Sequence, residues 1–189
     1  MGIESNEHHL VLGQLNDFLT GRILADTHDE RYRQKIAKIL VRDKGYQPAD
    51  ILSGRTLELN AGDKKARMKI DFLIQIENHI VTMIKYAPGS LVTRRLSTLA
   101  LSRIIEPYQI PIAVFTNGED AEIIDGHTGC LIAQGLNYIP SKKRLVRRIK
   151  AFPFKSIDPS LYDKASRIAY ACEVDGACPC DTDICVIND

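Results

Sequence analysis

No apolar run in the 189 residues approaches the ~20 that a membrane helix needs. The opening stretch, Met1 to His9, has neither a basic n-region nor an apolar h-region, so export by a signal peptide is not expected and a reducing cytoplasm is the expected compartment. An excess of one charge is also missing. With 25 Lys and Arg against 24 Asp and Glu the net charge is +1, so any charged partner must be sought in how the charges are distributed. There is no internal repeat and no low-complexity linker. One domain over about residues 1–170 is expected, followed by a cysteine-rich acidic tail over 171–189.

Cysteine is scarce except at the end. Four of the five, Cys172, Cys178, Cys180 and Cys185, fall in the last 18 residues. In a cytosolic chain such crowding favours metal ligation over disulfides, and four thiolates close a tetrahedral zinc site or anchor an iron–sulfur cluster. Their spacing matches no familiar finger, so free thiols in a frayed tail and redox pairs stand beside that reading. Asp181 and Asp183 either assist a cation or keep the tail solvated. Cys130, alone in an apolar stretch, reads as a small buried hydrophobe.

Hydrophobic spacing predicts the elements. Leu10, Leu12, Leu15, Phe18, Leu19 and Ile23 predict an amphipathic helix over 8–24. Thr27 and Glu30 form a capping-box pattern for a second helix over about 28–44, with Tyr32, Ile36, Ile39 and Leu40 inward and Gly45 as its αL cap. The period then changes to two. Leu57 and Leu59 precede the Asn60–Asp63 turn, and Met68, Ile70, Phe72, Ile74 and Ile76 share one face, with Lys69, Asp71, Leu73 and Gln75 on the other. A third strand, 79–85, puts Val81, Met83 and Lys85 on a common face and completes an antiparallel meander. A helix over 93–106 follows, with Leu96, Leu99, Ala100 and Ile104 inward. Strands are expected at 112–116, 121–124 and 130–133, then a basic helix from Ser141 to Lys150 and a last helix from Pro159 to about Ala171.

The phrases Lys69-Ile-Asp71-Phe-Leu-Ile, Ile80-Val-Thr-Met-Ile-Lys85 and Ile112-Ala-Val-Phe-Thr-Asn-Gly118 stand in the order helix, meander, helix, strand. In this the chain resembles, over about residues 28–135, the N-terminal nuclease domain of type I restriction enzyme R subunits, within the PD-(D/E)xK nuclease superfamily. The resemblance implies an α/β, restriction-endonuclease-like fold: a mixed sheet with a central antiparallel meander flanked by helices. It also implies a metal-dependent DNA endonuclease. Asp71 would hold Mg²⁺, Lys85 would orient the attacking water and stabilise the phosphorane, and Glu30 would match an acidic residue that some members supply from the first helix. Some RecB-type relatives pin a cluster with C-terminal cysteines, at a different spacing.

The chemistry has its own logic. Mg²⁺ takes one or two protein carboxylates and fills its other positions with waters and phosphate oxygen, which acidifies a bound water. An adjacent lysine offsets the charge that develops on phosphorus. One position departs from the family pattern: where a Glu or Asp precedes the lysine by two residues, this chain has Met83, whose thioether is a poor ligand for a hard cation. The region after the third strand carries Arg94, Arg95 and Leu99 in place of a Gln-x-x-x-Tyr pattern. A solvated Asp71, a solvated Lys85 and a purely capping Glu30 are the plain alternatives.

Lys142, Lys143, Arg144, Arg147, Arg148 and Lys150 place six positive charges in nine residues with no acid. Such a face tracks DNA phosphates, or simply solvates a helix. Three functions are therefore expected to compete: a Mg²⁺-dependent DNA endonuclease; a nuclease fold without the reaction, serving as a nucleic-acid or protein-binding module, alone or as a homo-oligomer; and a thiol-based metal or redox protein.

Overall fold

The computed structural model describes residues 10–177 and 183–187. Cys178 and Cys180 of the expected thiolate set lie outside the described residues, as do His8 and His9.

The described residues open with a hairpin where the spacing predicts a helix over 8–24. β1 (Gln14–Asn16) pairs antiparallel with β2 (Ile23–Ala25). The cause lies in the turn. The Asp17 carboxylate accepts from the amides of Leu19 and Thr20 and from the Thr20 hydroxyl, and a side chain that captures backbone donors competes with helix. Gly21, at φ +72°, closes the turn. The spacing of the leucines misleads because Leu10, Leu12 and Ile23 are exposed.

α1 (His28–Lys38) continues through a π-helical turn, Ile39–Asp43, and stops at Gly45, φ +75°. Thr27 Oγ1 accepts the Glu30 amide at 3.1 Å, whereas the Glu30 side chain bonds Gln34 instead. Only half of the capping box forms.

The meander is β3 (Ile51–Ala61), β4 (Lys64–Ile76) and β5 (His79–Tyr86). Its second turn is Glu77–Asn78, with φ +50° and +71°, the double positive φ that a tight I′ hairpin requires. α2 (Arg95–Ile104) then crosses over so that β6 (Ile112–Thr116) lies parallel to β5, as a parallel pair demands. β7 (Ala121–Asp125) and β8 (Leu131–Gln134) extend the sheet antiparallel. After α3 (Lys142–Arg148) and α4 (Pro159–Ala169), β9 (Ile184–Ile187) returns to pair with β4.

Among the described residues this makes a mixed, mostly antiparallel sheet of seven strands in the order β3-β4-β5-β6-β7-β8, with β9 on β4. α2 and α4 cover one face, packing on Met68, Ile70, Leu73, Met83, Ala113 and Ile124. α1 and α3 cover the other, over Phe72, Ile74, Ile76, Val81, Ile84 and Val114. The expected restriction-endonuclease-like architecture is the one observed. No helix of the described residues is long and apolar enough to cross a membrane.

Four details differ from expectation. Met68 and Ile70 pack on one face and Phe72, Ile74 and Ile76 on the other, so the alternation changes phase at Asp71. Opposite it, between the pairs Ser53–Phe72 and Arg55–Ile70, stands Gly54 with φ +65°, a conformation that interrupts the regular pleat. Val81 and Met83 separate onto opposite faces because a register shift falls between Ile74 and Gln75. Leu96 is 57% exposed, one position off the buried stripe of α2. Cys130 is exposed rather than buried.

Candidate functional site

Asp71 and Lys85 meet at the end of the β4–β5 ladder. Phe72 pairs with Ile84, so the two residues are the next cross-strand neighbours, and Lys85 Nζ lies 3.5 Å from Asp71 Oδ2. Here β5 leaves the ladder, and its orphaned Tyr86 amide donates to Asp71 Oδ2 at 2.8 Å. The aspartate side chain thus finishes a backbone ladder and holds a charge at once. Its carboxylate is only 4% exposed, a burial that demands compensation.

The shortest of its contacts is to Arg33. This residue lies one turn beyond Glu30 on the face of α1 that meets β4, and its Nε donates to Asp71 Oδ1 at 2.7 Å. The same guanidinium donates through Nη2 to Asp183 Oδ2 at 2.8 Å and stands 3.7 Å from Glu30 Oε2. Burial works against its charge, but the facing carboxylates of Asp71, Asp183 and Glu30 outweigh burial and raise its pKa further. Tyr86 stacks with Tyr32 and lies under the Arg33 guanidinium, 5.5 Å from its ring centroid, which fixes the fork in place.

Arg33, Asp71 and Asp183 line a cleft of about 350 Å³ together with Asp17, Arg22, Gln34, Ser53, Gly54 and Lys69. Glu30 faces it. Burial raises the pKa of Glu30, Gln34 and Arg33 partly offset this, and the charges of Asp17 and Asp71 add to the rise. Lys85, 10% exposed, also donates to the Lys69 carbonyl at 3.4 Å. The sequence-derived trio of Asp71, Lys85 and Glu30 therefore converges on one region, and Arg33 stands in its middle. Met83 does not reach it: fully buried, it packs among Leu73, Ile80 and Leu101 under α2.

Whether the donor set suits Mg²⁺ is decided by the oxygens on offer. Both Asp71 oxygens already serve nitrogen donors, and position 83 gives sulfur to an apolar core. Among the described residues no group of three or more His, Cys, Asp and Glu side chains is arranged to hold a metal. The place that a cation would take against Asp71 is held by the Arg33 guanidinium. With Arg33 and the Tyr86 amide on Asp71, the residues as arranged do not fit the ion.

Spacing alone did not single out Arg33, Lys69 or Asp183. For Arg33 the signal was available, since Glu30, Arg33 and Gln34 fall on one side of a helix. For Asp183 it was the short β-prone run Ile184-Cys-Val-Ile187 that follows it. Arg94 and Arg95 turn to buried acids elsewhere, Arg94 to Glu173 and Arg95 in a two-point pair to Glu122.

The basic helix is α3. Lys143, Arg144, Arg147, Arg148 and Lys150 are exposed, while Lys142 pairs with Asp50 at 2.7 Å. Leu145 and Ile149 anchor the helix in the core that also holds Ile36 and Leu40 of α1. Of the thiols, Cys172 lies half-buried in the turn after α4 and Cys185 is exposed on β9.

Searches of curated proteins and of solved structures find no match. A family model does match, over residues 28–140, and is described as type I restriction enzyme R protein N terminus (HSDR_N). That span takes in α1, the whole meander with Asp71 and Lys85, and the parallel pair β5–β6. The chain belongs to the family of type I restriction enzyme R protein N-terminal domains.

Proposed function

We propose that the chain is a DNA-binding module on a nuclease fold, in which the hydrolytic site has become an internal charge cluster. One observation carries this reading: Arg33 and the Tyr86 amide together occupy both oxygens of Asp71, the residue on which metal-dependent cleavage would depend. Met83 strengthens it, because the second acid of the family pattern is replaced by a side chain buried in the apolar core. For DNA the supports are the family and the exposed basic face of α3, which suits phosphate contacts made without reading bases.

The rival reading is the Mg²⁺-dependent endonuclease of Asp71, Glu30 and Lys85. Its support is that Glu30 and Asp71 border one cleft, and it requires Arg33 to leave. A single assay separates the two. The purified chain is incubated with supercoiled plasmid and with Mg²⁺, Mn²⁺ or EDTA, and retardation and nicking are read on the same gels. Retardation without metal-dependent nicking is the expected result. Nicking that needs metal and disappears in both Asp71→Asn and Lys85→Ala would establish the endonuclease instead.

A further inference from the structure

The C-terminal strand places an anion where the cleft gathers its cations. β5 and β9 add to the same edge of β4: β5 pairs with Phe72 to Ile76, and β9 with Lys65 to Met68. Where β5 ends, that edge would be left with unpaired backbone groups, which invite another strand. β9 supplies it in cis, and the Lys69 amide extends the pairing by donating to the Asp183 carbonyl at 3.1 Å.

The result is an exchange of charge across 150 residues of sequence. Asp183 Oδ2 takes Arg33 Nη2 at 2.8 Å and Oδ1 takes Lys69 Nζ at 3.0 Å. Burial works against its charge, but Arg33, Lys69 and Lys85 together hold its pKa below the usual carboxylate value. Two oxygens of one anion, one held by a guanidinium N–H and the other by an ammonium with a second lysine behind them, repeat the arrangement that receives the two non-bridging oxygens of a phosphodiester. The grip is exchangeable. The Arg33 and Asp183 side chains are each about a quarter exposed, at 24% and 26%; β9 has only four residues, and Val186 is half exposed.

We propose that Arg33, Lys69 and Lys85 form a phosphodiester-binding subsite and that Asp183 occupies it in cis, so that a nucleic-acid backbone and strand β9 compete for one place. This rests on the reading of the chain as a DNA-binding module. The occupant is the sugar–phosphate backbone rather than a base, since the groups involved are cations without an aromatic platform at the anion.

The test uses the full chain and a short fluorescent duplex, with affinity read by anisotropy at several salt concentrations. Asp183→Asn is expected to bind roughly fivefold tighter, the scale of one or two half-exposed ion pairs exchanged for phosphate contacts. Its salt slope should steepen by about 0.9 for each added contact. Lys69→Met in the Asp183→Asn background should return the affinity toward that of the wild type. Glu58→Gln removes an equal charge from an exposed pair with Arg67 and is the control. In the wild-type protein, adding DNA should speed hydrogen exchange at the Lys69 amide, which only a displaced β9 exposes. Equal gains from Asp183→Asn and Glu58→Gln, with the Lys69 amide unmoved by DNA, would reduce the effect to net charge and overturn the proposal. Unchanged affinity in Asp183→Asn, while charge reversal on α3 abolishes binding, would overturn it and leave the module reading intact. Metal-dependent cleavage by the wild type that Asp183→Asn abolishes would make Asp183 a metal ligand and overturn both.

Discussion

Glu30 gains little from ionising where it stands. It is partly buried, it feels Asp17 and Asp71 as like charges, and its pKa is raised despite Gln34 and Arg33. A carboxyl whose folded pKa lies above its unfolded value is better tolerated protonated. Its contribution to stability is therefore complete at pH below the ordinary 4.5, and falls as pH rises through the raised value. Glu30→Gln keeps an acceptor for the Gln34 amide and removes the charge. The variant should match the wild type in melting temperature near pH 4 and exceed it near pH 7, the gap opening between the two pKa values. Thermal melts across that range check it, and a gap that closes with rising pH would mean that the Arg33 pair outweighs burial. Asp183 behaves in the opposite sense. Its lowered pKa keeps its bonds to Arg33 and Lys69 intact at neutral pH and loses them only in acid, as pH falls through the depressed value.

At the scale of elements, β5 sets the limits of the site. Its residue 83 points to the face covered by α2 and α4, fully buried beside its cross-strand partner Leu73. Restoring the family acid there would not restore a ligand; it would place a carboxylate in an apolar layer. Met83→Glu should cost about 3 kcal/mol or more, whereas the volume-conserving Met83→Leu should cost less than about 1.5 kcal/mol. Urea midpoints at unchanged m-value measure both. A Met83→Glu protein with the wild-type midpoint and new Mg²⁺-dependent cleavage would show that the site lacks only this acid. Here the sequence was legible in part. The meander, α1 and the meeting of Asp71 with Lys85 follow from period-two and helical spacing and from tight-turn residues, all of them local signals. The phase change at Asp71 was not legible, because it depends on Gly54 of the neighbouring strand adopting φ +65°. Nor was the first hairpin, where Asp17 captures turn amides and overrides an apparently helical pattern of leucines. Asp183 reads in the sequence as an aid to a cation or as solvating charge, since its partners lie on α1 and β4, more than a hundred residues away.

At the scale of the molecule, most of the cleft's positive charge is paired, whereas that of the basic helix faces solvent. At the cleft Arg33 and Lys69, with Lys85 behind them, already answer Asp71 and Asp183. On α3 and the turn that follows it, five basic side chains face solvent, Lys143, Arg144, Arg147, Arg148 and Lys150, and among the described residues none forms an ion pair. The two regions belong to one layer of the fold. α1 runs from Glu30 and Arg33 at the cleft to Lys44, whose carbonyl accepts the Lys142 amide at the start of α3. The eleven residue steps from Arg33 to Lys44 span at most roughly 16 Å at 1.5 Å per residue, about five phosphate steps along one strand of a duplex. Initial attachment should therefore depend on α3 and the turn after it, which among the described residues hold five basic side chains without an ion pair, against Arg22 alone in the cleft. Affinity for a duplex of arbitrary sequence should fall linearly with the logarithm of salt concentration, and Arg147→Glu with Arg148→Glu should flatten that slope by about 1.8, two contacts at roughly 0.9 each. The same pair of changes should leave the melting temperature nearly unmoved, because both side chains lie on the exposed face while Leu145 and Ile149 hold the helix. A slope equal to that of the wild type would remove α3 from the interface and leave the cleft as the place where DNA first attaches.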